Sequence, residues 1–277
     1  MTLDEALRAG AAYLAAAGVP DAARDARRLI AGALGVAPAR LSLMARDPFP
    51  EAAAPRWHAM LAARAERQPV AQILGRRAFW GREFRVTRDV LDPRPETECL
   101  IAEALTVPAS RILDLGTGSG CILLTLLAEW PEAEGVGTDR SAAALAVARA
   151  NAADLGVAGR AEFRDTDWAA GVSGAFDLIV CNPPYIAAAE LAALEPDVTR
   201  WEPAGALSPG EDGLAAYRDL LPQAAARMAP GGRILLEIGA SQGAAVADLV
   251  AAAGFGHIRV LPDLDGRDRV VAGDFPA

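Results

Sequence analysis

The sequence predicts an α/β fold: a mostly parallel, doubly wound sheet of seven strands, preceded by a small helical bundle and a β-hairpin connector. Three observations predict it. From Glu96 onward, seven apolar stretches of strand length alternate with helical ones, the pattern of parallel strands joined by crossover helices. A glycine-rich turn, "GTGSG", follows the first of these strands and opens a helix, so helix N-terminal N–H groups stand ready for a ligand there. The first 67 residues carry helical periodicity alone. This Rossmann-like reading divides the chain into a helical domain over 1–67, a connector over 68–95 and an α/β body over 96–277.

Each element follows from local signals. "TLDE" at 2–5 is a capping box, with Thr2 as the cap and Glu5 reaching back. Leu3, Leu7 and Leu14 then share one helical face. "DAARDARRLIAGALG" forms a second helix, with Leu29, Ile30, Ala33 and Leu34 inward and Gly35 as its stop. A short piece lies around Leu41–Met44, and a helix near Glu51–Arg67 carries Trp57, Met60 and Leu61 as its stripe. "FWGREFRV" alternates apolar residues around a glycine, which predicts a hairpin. Phe79 and Trp80 within it either meet a protein substrate or pack. Pro93 and Pro95 stiffen the "LDPRPETE" that follows. In the body, helix "ETECLIAEAL" precedes strand "RILDL", helix 121–129, strand "EGVGT" ending at Asp139, and a helix capped by Ser141. "AEFRD", "FDLIVC", "GGRILLEIG", "HIRVL" and "RVVAG" supply five more strands, the last two close enough to form an antiparallel edge pair.

Composition removes several classes of function. The chain has 277 residues, 52% of them apolar, enough for one large domain and a small one. No apolar run reaches the roughly 18 residues of a membrane span. The start lacks a basic region followed by an apolar stretch, so no secretory signal is expected and a cytoplasmic protein is. Cys99, Cys121 and Cys181 are odd in number and lack metal-ligand spacing, and His58 and His257 are the only histidines. Neither a disulfide framework nor a metal site is expected. All 27 basic residues are arginine, which excludes Walker-type phosphate loops and Schiff-base enzymes, since both need a lysine. Residues 1–77 hold 11 arginines against 7 acids, and residues 78–277 hold 16 against 29. A body this acidic argues against a broad nucleic-acid groove.

The glycine turn does not suit a dinucleotide. That pattern needs a small third residue three positions after its second glycine, and the two possible alignments place Cys121 or Leu123 there. The segment reads instead as Asp114-x-Gly-x-Gly-x-Gly, which resembles the first motif of S-adenosylmethionine-dependent methyltransferases. Asp139 closes the second strand 23 residues past Gly116, near the spacing at which a carboxylate meets ribose hydroxyls. "DTDW" brings Asp167 and Trp168 to the expected adenine position, with plain packing as the other reading of Trp168.

"NPPYI" at 182–186 ends the fourth strand of the body, the end at which open α/β sheets bind ligands. Asn-Pro-Pro-Tyr there resembles the motif of methyltransferases that act on planar nitrogen, in DNA adenine or in protein glutamine. The match widens over "QPVAQILGRRAFWGREFRV", "VLDPRPETE", "ILDLGTGSGCI", "NPPYI", "EPAGALSPGEDGL" and "DLDGRDRVVAG". Together these six blocks, in order from about residue 68 to the end, resemble the release factor glutamine methyltransferases, the HemK/PrmC family. Departures are Gln72, where an aromatic or His is expected, Asp92, where an apolar residue is commoner, and "SPGEDGL" in place of a Gly-Gly variant.

The resemblance implies methylation of the glutamine amide in the Gly-Gly-Gln loop of bacterial peptide chain release factors, with S-adenosylmethionine as donor. It implies cofactor contacts from Gly116, Thr117, Gly118, Ser119, Gly120, Asp139, Trp168 and Asn182. It implies substrate contacts from Asn182, Pro183, Pro184 and Tyr185, with Asn182, Pro183 and Tyr185 catalytic. Arg94, Glu96 and Thr97 either lid the cofactor or serve as a structural connector. The helical domain is expected to recognise the substrate, and the enzyme to act as a monomer without nucleic acid or membrane. An amide nitrogen is a weak nucleophile because its lone pair is delocalised. Two acceptors on its two N–H groups would aim that lone pair: the Asn182 side-chain oxygen and, by family analogy, the Pro183 carbonyl. Rivals are a DNA N6-adenine methyltransferase, a non-catalytic cofactor-binding module and, more remotely, a nicotinamide-dependent dehydrogenase.

Overall fold

Thr2 opens the first helix in the computed structural model, which describes all 277 residues. Its Oγ1 accepts from Glu5 N at 3.3 Å, and Glu5 Oε2 accepts from Thr2 N at 2.8 Å, closing the capping box. Helices α1 (Leu3–Ala16), α2 (Ala22–Leu34), α3 (Ala54–Ala65) and α4 (Val70–Leu74) follow, α2 ending on Gly35 in the left-handed conformation. Leu3, Leu14, Leu29, Ile30, Trp57, Met60 and Leu61 form their shared core.

Two compact units emerge: Met1–Arg76 with Glu195–Trp201, and Arg77–Leu194 with Glu202–Ala277. The helical unit thus takes in a segment from far along the chain, which includes the short helix α8 (Pro196–Trp201). Charge pairing holds it there. Buried Arg64 donates from Nε to Asp25 at 2.7 Å and from Nη1 to Asp197 at 2.6 Å. Arg67 also pairs with Asp197, and reaches Glu195 at 2.7 Å. Trp201 Nε1 donates to Glu66 O (3.1 Å), and Gln72 Nε2 to Trp201 O (3.0 Å). That contact gives the atypical Gln72 a use within this unit.

A hairpin, β1 (Arg76–Phe79) and β2 (Arg82–Arg85), turns on Trp80 and Gly81, both at positive φ, the requirement of a tight two-residue turn. Phe79 and Phe84 are buried and meet edge to face at 6.1 Å, so Phe79 packs in the core of the α/β unit.

The sheet contains β3 (Arg111–Leu115), β4 (Glu134–Asp139), β5 (Ala161–Asp165), β6 (Phe176–Cys181), β7 (Met228–Glu237), β8 (Gly256–Pro262) and β9 (Asp268–Asp274), in the order β5-β4-β3-β6-β7-β9-β8. The first five are parallel, and β9 runs antiparallel between β7 and β8. The sheet's edges are β5 and β8, and β8 and β9 form the expected antiparallel pair at one of them, with β9 on its inner side. One face is covered by α5 (Glu98–Ala104), α6 (Cys121–Glu129) and α7 (Ala142–Asp154), the other by α9 (Ala215–Ala225) and α10 (Gly243–Ala252). This is the predicted seven-stranded α/β architecture. No helix is long and apolar enough to cross a membrane.

Candidate active site

The sheet order itself assembles the site. Chain progression reverses at β3: β4 and β5 extend one way, β6 and β7 the other. Such a switch point opens a crevice at the carboxyl ends of the strands. Leu115 pairs with Thr138 on one side and with Cys181 on the other, and Cys181 with Leu236. One residue beyond each of these lie Gly116, Asp139, Asn182 and Glu237. Four residues scattered over the sequence thus come side by side along one edge.

A cavity of about 330 Å³ occupies this crevice. Gly116, Thr117, Gly118, Ser119, Asp139 and Trp168 line it, and so do Asn182 and Pro184. Gly116, Gly118 and Gly120 all have positive φ, so the loop folds back and leaves its backbone facing the cavity. Gly118 N donates to Asp139 Oδ2 (3.0 Å), and Ser141 N to Asp139 Oδ1 (2.8 Å). The carboxylate is pinned at the lip, with lone pairs to spare for hydroxyls. Trp168, itself at φ 50, sets its ring 3.5 Å from where a Cβ on Gly116 would stand. A backbone cradle, a fixed carboxylate and an indole make a donor set suited to an adenosyl group.

Asp114 supports this loop from below. It is 1% exposed and accepts from Thr117 Oγ1 at 2.6 Å. Burial pushes its pKa up to about 7, and nearby Asp139 adds to the rise. Gly120 stands behind the loop at the start of α6, close to Leu124 and Ala148.

On the acceptor side, β6 ends at Cys181 because Pro183 and Pro184 cannot extend a strand's ladder. Pro183 is buried and Tyr185 half-buried, its ring packed on the core near Gly239; neither lines the cavity. The "EPAGALSPGEDGL" block straps this loop in place. Ile186 N donates to Leu207 O (3.0 Å) and Ala188 N to Gly210 O (3.0 Å). Gln242 Nε2 donates to Tyr185 O at 2.9 Å. Gly213 lies so close that a Cβ there would fall 2.4 Å from Tyr185 O, which only glycine avoids.

Asn182 Nδ2 donates to Thr97 Oγ1 at 3.3 Å. Thr97 is 2% exposed, so the "PRPET" connector reaches the acceptor asparagine directly. Arg94, on the cavity wall, donates from Nη2 to both oxygens of Glu202 at 2.7 and 2.8 Å. Burial raises the Glu202 carboxyl to about 6 despite that partner. Sequence reasoning missed Glu202 and Glu237. Glu237 has no motif and gains meaning only from sheet order; Glu202 opens the "EPAGALSPGEDGL" block, but its partner Arg94 lies 108 residues away. The thiols offer no nucleophile: burial raises Cys99 to about 11 and Cys121 to about 12, while Cys181 donates to Leu115 O.

Comparison with known proteins finds matches over the whole chain. Residues 89–196 match the methyltransferase small domain, and residues 5–75 match the PrmC N-terminal domain. The chain is 62% identical to the release factor glutamine methyltransferase of Cereibacter sphaeroides over 277 residues, covering 100% of both. It is 45% identical to that of Rhodospirillum rubrum, covering 97% of this chain and 84% of the relative. For Caulobacter vibrioides the figures are 44%, 99% and 96%. Among solved structures, a methyltransferase from Pyrococcus furiosus superposes with TM-score 0.55 at 14% identity, over 72% of this chain and 92% of that one. A T. thermophilus 16S rRNA methyltransferase, solved in complex with AdoMet and guanosine, gives 0.52 at 22% identity, over 72% and 49%. These two likenesses concern the α/β fold.

Proposed function

Because the chain belongs to the release factor glutamine methyltransferase family, we propose that Asn182 holds the reacting amide while the glycine loop holds the methyl donor. The enzyme transfers a methyl group from S-adenosylmethionine to the side-chain amide nitrogen of a glutamine in peptide chain release factors. One observation carries the assignment of roles: Asn182 lines the same cavity as Gly116 to Ser119 and Asp139.

S-adenosylmethionine supplies a methyl group activated by a sulfonium. The backbone of Gly116 to Ser119 would hold the donor, with Asp139 to accept from its ribose hydroxyls and Trp168 beside its adenine. Asn182 Oδ1 accepts one N–H of the substrate amide and the Pro183 carbonyl accepts the other, which aims the nitrogen lone pair. Both acceptors stabilise the positive charge that grows on nitrogen. The prolines keep them fixed, so little reorganises during transfer. Pro184 shapes the wall beside the planar amide, and Tyr185, packed on the core, braces the loop behind it. The methylated nitrogen is strongly acidic and gives its proton to water, so no general base is needed.

The target glutamine is that of the Gly-Gly-Gln loop. The helical unit recognises the release factor, and the enzyme works as a cytoplasmic monomer. The acidic balance of residues 78–277 supports a protein substrate over nucleic acid. Asn182→Ala tests the central assignment. Loss of one preorganised hydrogen-bonding group costs about 2.7–4 kcal/mol, or roughly 10²–10³-fold in rate. Single-turnover transfer of tritiated methyl to a purified release factor at near wild-type rate would refute the role. Label appearing on duplex DNA and not on the release factor would favour the adenine reading.

A further inference from the structure

Glu237 is an anomaly in the site. It ends the run Ile234, Leu235, Leu236 on β7, all fully buried, and is itself 1% exposed. A carboxylate buried at such a position carries a large desolvation cost unless something compensates, and burial lifts its pKa to about 7. It has no ion-pair partner at contact distance: Arg269, the cation that acts on it, pairs with Asp263 and donates to Ile238 O. Its Oε2 has no hydrogen-bond partner. Nor does it line the cavity, so it does not meet a ligand there.

The compensation comes from two neighbours. Thr97 and the Asn182 side chain lie beside the Glu237 carboxyl and offset part of the rise in pKa that burial causes. Sheet register explains the juxtaposition, because Cys181 pairs with Leu236 and the next residue of each strand is Asn182 and Glu237. Thr97 Oγ1 accepts from Asn182 Nδ2 at 3.3 Å. A hydroxyl has a single hydrogen, which is then free to point at the carboxylate. The result is a buried polarised chain from the Asn182 amide through Thr97 to Glu237.

This chain has a chemical consequence. A carboxamide has two ends of similar shape and opposite hydrogen-bonding character. If Asn182 were flipped, Oδ1 would face the oxygens of Thr97 and Glu237, and Nδ2 would face the incoming substrate N–H. The acceptor would become a donor, and the substrate amide would be repelled. Resting on the role of Asn182 given above, we propose that Glu237 and Thr97 are positioning residues that fix the Asn182 amide with Oδ1 toward the substrate nitrogen. Glu237 lies off the cavity wall and Thr97 on it; the role assigned to each here is exerted through Asn182.

The test uses the full-length enzyme, tritiated S-adenosylmethionine and a purified bacterial release factor, with single-turnover rates at saturating cofactor and cofactor Kd measured by calorimetry. Glu237→Met and Thr97→Val each slow transfer about three- to tenfold, the value of one lost hydrogen bond, with cofactor Kd within about twofold of wild type. Thr97→Ser keeps the hydroxyl and restores the rate. In an Asn182→Ala background, adding Glu237→Met slows transfer no further, because the residue to be positioned is gone. Wild-type rates for Thr97→Val and Glu237→Met beside a slow Asn182→Ala would overturn this inference and leave the role of Asn182 standing. An undiminished Glu237→Met effect in the Asn182→Ala background would overturn it too, since Glu237 would then act by another route. A fast Asn182→Ala enzyme would remove the role of Asn182 and this inference with it. Should Glu237→Met not fold, the Thr97→Val and Thr97→Ser pair decides.

Discussion

Gly118 and Gly120 look alike in the sequence, but alanine at each would do different things. Both have positive φ, 55° and 80°, so each alanine bears the left-handed penalty of about 1–2 kcal/mol. The surroundings differ. A Cβ on Gly118 meets nothing within 4 Å, whereas one on Gly120 would sit 2.9 Å from Leu124 Cδ1, 3.2 Å from Leu124 Cγ and 3.3 Å from Ala148 Cβ. Leu124 and Ala148 are fully buried, so overpacking adds about 1–3 kcal/mol at Gly120 alone. The backbone penalty is common to both variants, and the difference isolates the packing cost. At about 2–4 °C per kcal/mol for a unit of this size, Gly120→Ala melts roughly 2–12 °C below Gly118→Ala without cofactor. Affinity reverses the order. Gly118 lines the cavity and Gly120 does not, so Gly118→Ala loses more S-adenosylmethionine binding. Thermal unfolding of the cofactor-free proteins and calorimetric titration measure the two effects. Equal melting temperatures, or weaker cofactor binding by Gly120→Ala than by Gly118→Ala, would refute the division of labour.

The carboxyl of Glu237 moves from its ordinary 4.5 to about 7 on folding. The folded protein holds a proton that the unfolded chain releases across that window, so this group makes stability fall as pH rises from about 4.5 to 7. Asp114, at about 7, and Glu202, at about 6, act in the same direction. Glu237→Met removes one such cost; its urea-derived stability gain is on the order of 3 kcal/mol at pH 8 and shrinks as pH falls to 4. A gain that does not vary with pH would contradict this. In the helical unit, Arg64→Ala leaves Asp25, 6% exposed, without its 2.7 Å partner. The expected loss is about 3–5 kcal/mol, read by urea unfolding through the fluorescence of buried Trp57.

Much of the α/β unit was legible because its signals are local. Arg111–Leu115, Cys121–Glu129, Ala161–Asp165 and Phe176–Cys181 fall where apolar runs are cut by glycine, proline or a charged residue. The glycine loop and Asn182 could be placed on the ligand side, since strand ends and switch points follow from the alternation of elements. What could not be read depends on which strand lies next to which. In the sequence, "ILLE" is one more buried strand, and nothing sets its last residue beside an asparagine 55 positions earlier. The insertion of β9 ahead of β8 is equally non-local. Thr97 illustrates the boundary: the stiffness of "PRPETE" was visible, whereas its contact with Asn182 needed the third dimension. Nothing local marks Glu195 and Asp197, because their partners, Arg64 and Arg67, lie some 130 residues away.

The excursion of Glu195–Trp201 into the helical unit changes what counts as a module. The backbone passes between the units three times, at 76–77, at 194–195 and at 201–202. A single linker could be severed to yield two self-sufficient fragments. Here a cut after Arg76 would strand the partners of Arg64 and Arg67 on the other polypeptide. The segment at stake lies on the stretch that leaves the acceptor loop and returns to Glu202, the partner of Arg94 on the cavity wall. Swapping the N-terminal helices between relatives therefore requires exchanging Glu195–Trp201 with them. A graft that ends at residue 75, where the family model of the N-terminal domain stops, would be incomplete by one short helix.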